Sequence, residues 1–125
     1  MHALLEQRLV ARELRKEINR VASALSDFEK FALASQLRRA STSVTANLAE
    51  GFGRFGYQEN AQHCRQARGS LYELRDHLTT CVDQGYLEVT EGERLDKLAQ
   101  TVPLLLNGYL RSTLARKHDE RRMGA

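Results

Sequence analysis

Apolar residues recur along this chain at intervals of three and four, and nowhere do they alternate with polar ones over a strand-length run. That period belongs to helices that bury one stripe. The first stripe, Val10, Leu14, Ile18, Val21 and Leu25, predicts a helix over about residues 4–25. Its outer face carries Arg8, Arg12, Glu13, Arg15, Lys16, Glu17 and Arg20, several at spacings that pair on a helix. Ser26-Asp27-Phe28-Glu29 reads as a capping box, a hydroxyl for a free amide and a Glu reaching back. It opens a second helix over 27–50, with Phe31, Leu37, Ala40, Val44 and Leu48 inward. The cluster Gly51-Phe52-Gly53-Arg54-Phe55-Gly56 ends that helix, because glycine takes positive φ freely.

The third helix, over 57–84, has the most regular seam: Cys64, Ala67, Leu71, Leu74, Leu78 and Cys81 alternate steps of three and four. Gly85 supplies its stop, and Thr90-Glu91-Gly92-Glu93 reads as a second capping box. The fourth helix, over 91–117, turns Leu95, Leu98, Val102, Leu105 and Tyr109 inward, and Pro103 kinks or breaks it. Four long helices with short connections predict an all-α, antiparallel up-and-down four-helix bundle over 1–117. Residues 118–125 are expected to form a charged, frayed tail.

Composition changes this picture little. The chain has 125 residues, 42% of them hydrophobic, enough for one domain with a core that needs no disulfide or metal. Cys64 and Cys81 fall on the inward seam, as buried thiols of a reducing, cytoplasmic protein would. No apolar run approaches the roughly 18 residues of a membrane span, and Met1-His2-Ala3-Leu4-Leu5-Glu6 lacks a signal-peptide apolar core. Net charge is only +3, but it is segregated. Residues 38–68 hold five basic side chains against two acidic ones, and so do residues 111–122, while 88–97 is net acidic.

The chemistry-bearing patterns dissolve on inspection. Gly51-x-Gly53-x-x-Gly56 spells a dinucleotide fingerprint, but that motif works only after a strand, and here a helix precedes it. A di-iron bundle needs Glu-x-x-His on two helices, and none occurs. Glu59/His63 and Glu73/His77 lie four apart on one helix, which suits solvated carboxylate–imidazole pairs or a lone metal between them, with too few ligands for a stable site. Cys64 and His63 are adjacent, so they point about 100° apart and make no nucleophile–base pair. The expectation is no catalytic residue, no cofactor and no metal.

The basic residues admit two readings. Arg38 and Arg39 at mid-helix, and Arg65, Arg68 and Arg75 near helical spacing, make either a phosphate-binding ridge or a solvated face with ordinary acidic partners. Phe52, Phe55 and Tyr57 beside Arg54 could stack on bases or seal the bundle end.

Four segments in register resemble a known family: Gln36-Leu37-Arg38-Arg39-Ala40, Asn47-Leu48-Ala49-Glu50-Gly51-Phe52-Gly53-Arg54, Ala67-Arg68-Gly69-Ser70-Leu71-Tyr72-Glu73-Leu74 and Gly85-Tyr86-Leu87. The chain looks like the bacterial four-helix proteins encoded in intervening sequences of large-subunit ribosomal RNA genes. The resemblance implies a homopentameric ring. It also implies kinship with the accessory protein of diversity-generating retroelements, which binds nucleic acid and a reverse transcriptase. Where that family carries large apolar residues early in helix three, this chain has Asn60, His63, Cys64 and Gln66.

The matching positions Asn47, Glu50, Gly51, Gly53, Gly69 and Glu73 also have structural readings. Asn47 and Glu50 would brace the end of helix two, a close helix crossing would explain Gly69, and Arg38–Glu73 or Arg39–Glu50 would be inter-helix ion pairs. Outward Leu33, Leu106 and Leu110 favour self-association. The expected function is a non-enzymatic homo-oligomer that binds RNA, or else DNA, through Arg38, Arg39, Arg54, Arg65 and Arg68. The alternative is a structural scaffold docking a reverse transcriptase or other acidic protein.

Overall fold

The stripes become buried faces. A computed structural model describes residues 2–25, 27–53 and 57–102. Among these there are four helices and no strand: α1 His2–Ala24, α2 Phe31–Gly53, α3 Tyr57–Asp83, and α4 over 89–102. A single 3-10 turn, Phe28–Lys30, precedes α2. The bundle is antiparallel. α2 packs against both α1 and α3, and α4 meets α3 and α1 through ion pairs described below.

The core is one cluster. Leu14, Ile18, Val21 and Leu25, then Leu37, Ala40, Val44 and Leu48, then the whole Cys64–Cys81 seam, then Leu95, Ala99 and Val102 are buried together. Val10 and Leu98 pack at its margin, as does Leu33, which is half-buried rather than outward. Each large apolar side chain removed from water contributes about 1.5–3 kcal/mol. Phe31 departs from the expected stripe and is 67% exposed. It precedes Leu37 by six residues, which places it about 120° away around a helix of 3.6 residues per turn.

Helix ends follow local chemistry, with two corrections. α3 closes in a Schellman motif. Gly85 takes φ 77°, its N–H donates to the Val82 carbonyl at 3.0 Å, and the Tyr86 N–H donates to the Cys81 carbonyl at 2.8 Å. α4 opens earlier than the Thr90 box predicts. The Gly92 N–H donates to the Glu88 carbonyl at 2.9 Å, so Thr90 and Glu91 already lie in the first turn. The Glu91 carboxylate is taken by two guanidiniums, Arg20 at 2.5 Å and Arg94 at 2.8 Å, instead of a backbone amide. The second correction is at the other glycine cluster. α2 runs on through Gly51 to Gly53, and Gly51 is buried. Asp27 stands at the N-cap of the 3-10 turn without a side-chain cap bond, and Ser26 lies outside the described residues.

Gly69 and Gly92 exchange roles. A Cβ on Gly92 would sit 2.5 Å from Val82 Cγ2, so here α4 crosses close to α3. A Cβ on Gly69 would meet nothing within 4 Å, which removes the close crossing expected there. Pro103, Leu105, Leu106, Tyr109, Leu110 and the tail lie outside the described residues.

Candidate nucleic-acid interface

α2 has two flanks beside its buried stripe, and they differ in chemistry. The flank toward α3 is a seam of paired polar groups. The Asn47 amide donates to the Ser43 carbonyl at 2.9 Å and reaches its hydroxyl at 3.2 Å, while Asn47 Oδ1 lies 3.2 Å from His63 Nδ1. Ser43 and Ser70 hydroxyls share a bond of 2.8 Å across the interface. Further along, Arg39 is bound by Gln36 Oε1 and by the Glu73 carboxylate, which also lies 3.3 Å from His77 Nε2. The Arg39 hydrogen bond holds the Glu73 carboxyl below its ordinary range, against the opposing pull of burial. Asn47 thus braces α2 against α3, and Arg39 pairs with Glu73 rather than Glu50.

The basic residues singled out in the sequence do not form one ridge. Arg39 belongs to the seam. Arg38 is on the opposite flank of α2, where its guanidinium donates to the Ser23 hydroxyl of α1 at 3.3 Å. Arg65, exposed, and Arg68, half-buried, stand on the flank of α3 that carries Arg75. Arg75 is committed to Asp96 of α4 at 2.8 Å. Arg54 lies outside the described residues, as do the side chains of Phe52, Phe55, Tyr57 and Glu59. Glu50 is exposed and Gly53 ends α2.

What sequence reading passed over lies between α1 and α2. A cleft of about 450 Å³ is lined by Arg8, Arg12 and Arg15 of α1, by Thr42 and Thr45 of α2, and by Leu9, Ala46, Leu48 and Ala49. Among the described lining residues there is no carboxylate. Arg15 is half-buried and held in place, its guanidinium donating to the Thr45 hydroxyl at 3.0 Å while that hydroxyl donates to the Thr42 carbonyl at 3.0 Å. The cause is a division of charge around α1. Arg8, Arg12 and Arg15 step by four and three onto the α2 flank. Glu6, Glu13 and Glu17 step by seven and four onto the other, where Glu17 meets Arg94 of α4 at 2.9 Å. Glu17 is therefore directed to the α1–α4 contact, while the three arginines share the α2 flank.

Elsewhere the chemistry is quiet. Cys64 and Cys81 are free, and burial pushes both thiols up to about 11, far from the thiolate a nucleophile needs. Among the described residues no group of three His, Cys, Asp or Glu could hold a metal ion. No described helix is long and apolar enough to cross a membrane.

A family model described as 23S rRNA-intervening sequence protein matches residues 5–108. Among solved structures, the chain resembles a protein with unknown function from the S23 ribosomal protein family of Bacteroides thetaiotaomicron. The TM-score is 0.82 at 17% identity, covering 87% of this chain and 98% of that one. At that identity the likeness shows the fold. No curated protein matches the chain.

Proposed function

We propose, for a chain that belongs to the 23S rRNA-intervening sequence protein family, a non-enzymatic, homo-oligomeric nucleic-acid-binding function with RNA as the preferred partner. The observation that carries it is the flank of α1 and α2 where Arg8, Arg12 and Arg15 line one cleft whose described residues include no carboxylate, with Arg38 further along the same side of α2. A cationic surface attracts phosphate and releases counterions on binding. Arg65 and Arg68 add a second basic face on α3.

Self-association belongs to the same proposal. Phe28, Phe31, Tyr72 and Val89 are each more than half exposed, which is apolar surface suited to copies of this chain. A ring of five, as the motif resemblance implies, would repeat each basic face. Non-specific contacts of roughly 10⁻⁴ to 10⁻⁶ M would then gain about 10²- to 10⁴-fold in avidity. Kinship with the retroelement accessory protein is part of this reading.

The test is titration of labelled RNA and DNA across about 50–200 mM salt, with light scattering on the same samples. Affinity falling linearly with log salt, and a mass several times the 14.2 kDa protomer, are expected. Silence with every nucleic acid at low salt sinks the proposal and leaves a scaffold for an acidic protein. A mass near one protomer sinks its oligomeric part.

A further inference from the structure

We infer that the α1–α2 cleft is the seat of a single RNA strand, with backbone phosphates on Arg8, Arg12 and Arg15 and sugar and base faces on the apolar lining. The inference rests on the nucleic-acid reading above and specifies its site and its ligand. Four features of the cleft lead to it. First, the arginines recur by four and three along α1, so successive guanidiniums advance by about one helical turn, roughly 5.4 Å. That repeat is close to the phosphate-to-phosphate repeat of an extended strand. Second, Arg15 is preorganised by Thr45, so ordering it on binding costs less than ordering a free side chain.

Third, Leu9, Ala46, Leu48 and Ala49 place apolar surface directly beside the cations. A duplex keeps its base faces stacked inside and has nothing to bury on such a wall, whereas a single strand exposes them next to its phosphates. Among the described lining residues there is no aromatic ring, so base stacking is weak and the cleft tolerates any sequence. Fourth, Thr42 puts a hydroxyl on the same wall, and a ribose 2′-hydroxyl both donates and accepts. That group is what the cleft gains from RNA over DNA.

The experiment uses the full chain and a short fluorescein-labelled oligouridylate, with its RNA duplex and the matching oligodeoxyuridylate as comparison ligands. Variants are Arg8→Gln/Arg12→Gln/Arg15→Gln, Thr45→Val, and Arg65→Gln/Arg68→Gln, each checked for a cooperative thermal melt and an unchanged particle mass. The intact protein is expected to prefer the single RNA strand. The cleft triple variant should lose at least about tenfold in affinity, and its salt slope should become shallower by about 0.7 for each phosphate contact removed. Thr45→Val should weaken binding in the same direction by a smaller factor, since it frees Arg15 without removing charge. The Arg65/Arg68 variant should retain the single-strand preference.

Three results overturn the inference while leaving nucleic-acid binding standing. These are a cleft variant that binds like the parent, equal loss of duplex and single strand, and equal binding of the deoxy strand. Polyglutamate displacing RNA at matched charge overturns it in favour of an acidic protein partner. If the parent binds no nucleic acid at all, the underlying reading fails and the cleft assignment falls with it.

Discussion

The two flanks of α2 are made from similar residues and end in opposite states. Toward α3, arginine, asparagine, serine and histidine find partners across the interface, and Arg39 closes on Glu73. Toward α1, arginines and threonines line an open cleft with no carboxylate among the described residues. The difference lies in the neighbours. α3 presents Ser70, Glu73 and His77 to the seam. α1 keeps its glutamates on its far side, where Glu17 pairs with Arg94. A polar flank paired across the interface fixes the register of two helices, and a basic flank that lines an open cleft is the one on which the proposed anion would sit.

The largest expected effect concerns what both flanks enclose. Leu74 is fully buried on α3, so Leu74→Ala should lower unfolding free energy by about 2–5 kcal/mol in urea titration. A loss below about 1 kcal/mol would mean the seam is not the core. Asn47→Ala comes next, because it breaks the bonds to Ser43 and His63 and leaves their groups half-buried. About 1–2 kcal/mol should be lost even after the better helix propensity of Ala is counted. A neutral result would make the polar seam incidental to the packing of α2 on α3.

Gly69→Ala should act in the opposite direction and raise stability by about 1 kcal/mol, since Gly69 is exposed within a helix and its Cβ would meet no atom within 4 Å. Light scattering on the same variant tells whether a second copy covers that face. A lower mass would show that a second copy approaches the Gly69 backbone closely.

The α1–α4 edge supplies a pH test. Hydrogen bonds from Arg94 and Arg20 hold the Glu91 carboxyl down at about 2 against an ordinary 4.5, and the same two arginines lower Glu17. A carboxyl depressed on folding stabilises the native state above its unfolded value and loses that contribution as pH falls toward its folded value. Melting temperature should therefore decline as pH drops from about 4.5 to about 2. Because the arginines are exposed and the glutamates only half-buried, the decline should shrink in high salt. A melting temperature flat through that window would show that the ion pairs at this edge contribute nothing.

Much of the scaffold was legible in the chain, and the reason is period. The Cys64–Cys81 seam and the Leu14–Leu25 stripe are buried as their spacing demands, and Gly85 stops α3 as its freedom at positive φ demands. Ends were less legible because a capping motif competes with longer-range partners. Glu91 looks like a cap residue in sequence, but Arg20 lies 71 positions away and takes it. Pairing was legible only as a set of options, since Arg38 and Arg39 are neighbours in sequence and face opposite flanks in space. The cleft escapes any reading that treats the outer face of α1 as one mixed surface. Its charges sort by angle, arginines at 8, 12 and 15 and glutamates at 6, 13 and 17, and a helical wheel of that segment shows the division. Only the fold says that the arginine side faces Thr42 and Thr45.

The smallest expected effect separates the flanks most sharply, because its sign differs between them. Arg39→Gln removes a pair to Glu73 that is partly exposed, with side-chain exposures of 56% and 38%, and should cost up to about 1 kcal/mol. Arg12→Gln removes like-charge neighbours instead, Arg8 and Lys16 at four residues and Arg15 at three. Each such pair destabilises a helix by roughly 0.2–0.5 kcal/mol at low salt. Arg12→Gln should therefore raise unfolding free energy by a few tenths of a kcal/mol in low salt, and the gain should vanish in high salt as screening removes the repulsion. A residue that lowers stability where it stands is what a binding site for an anion contains, and the bound anion would reverse the sign. If Arg12→Gln instead destabilises by more than about 0.5 kcal/mol, Arg12 is a structural brace, and the contrast between the two flanks of α2 collapses.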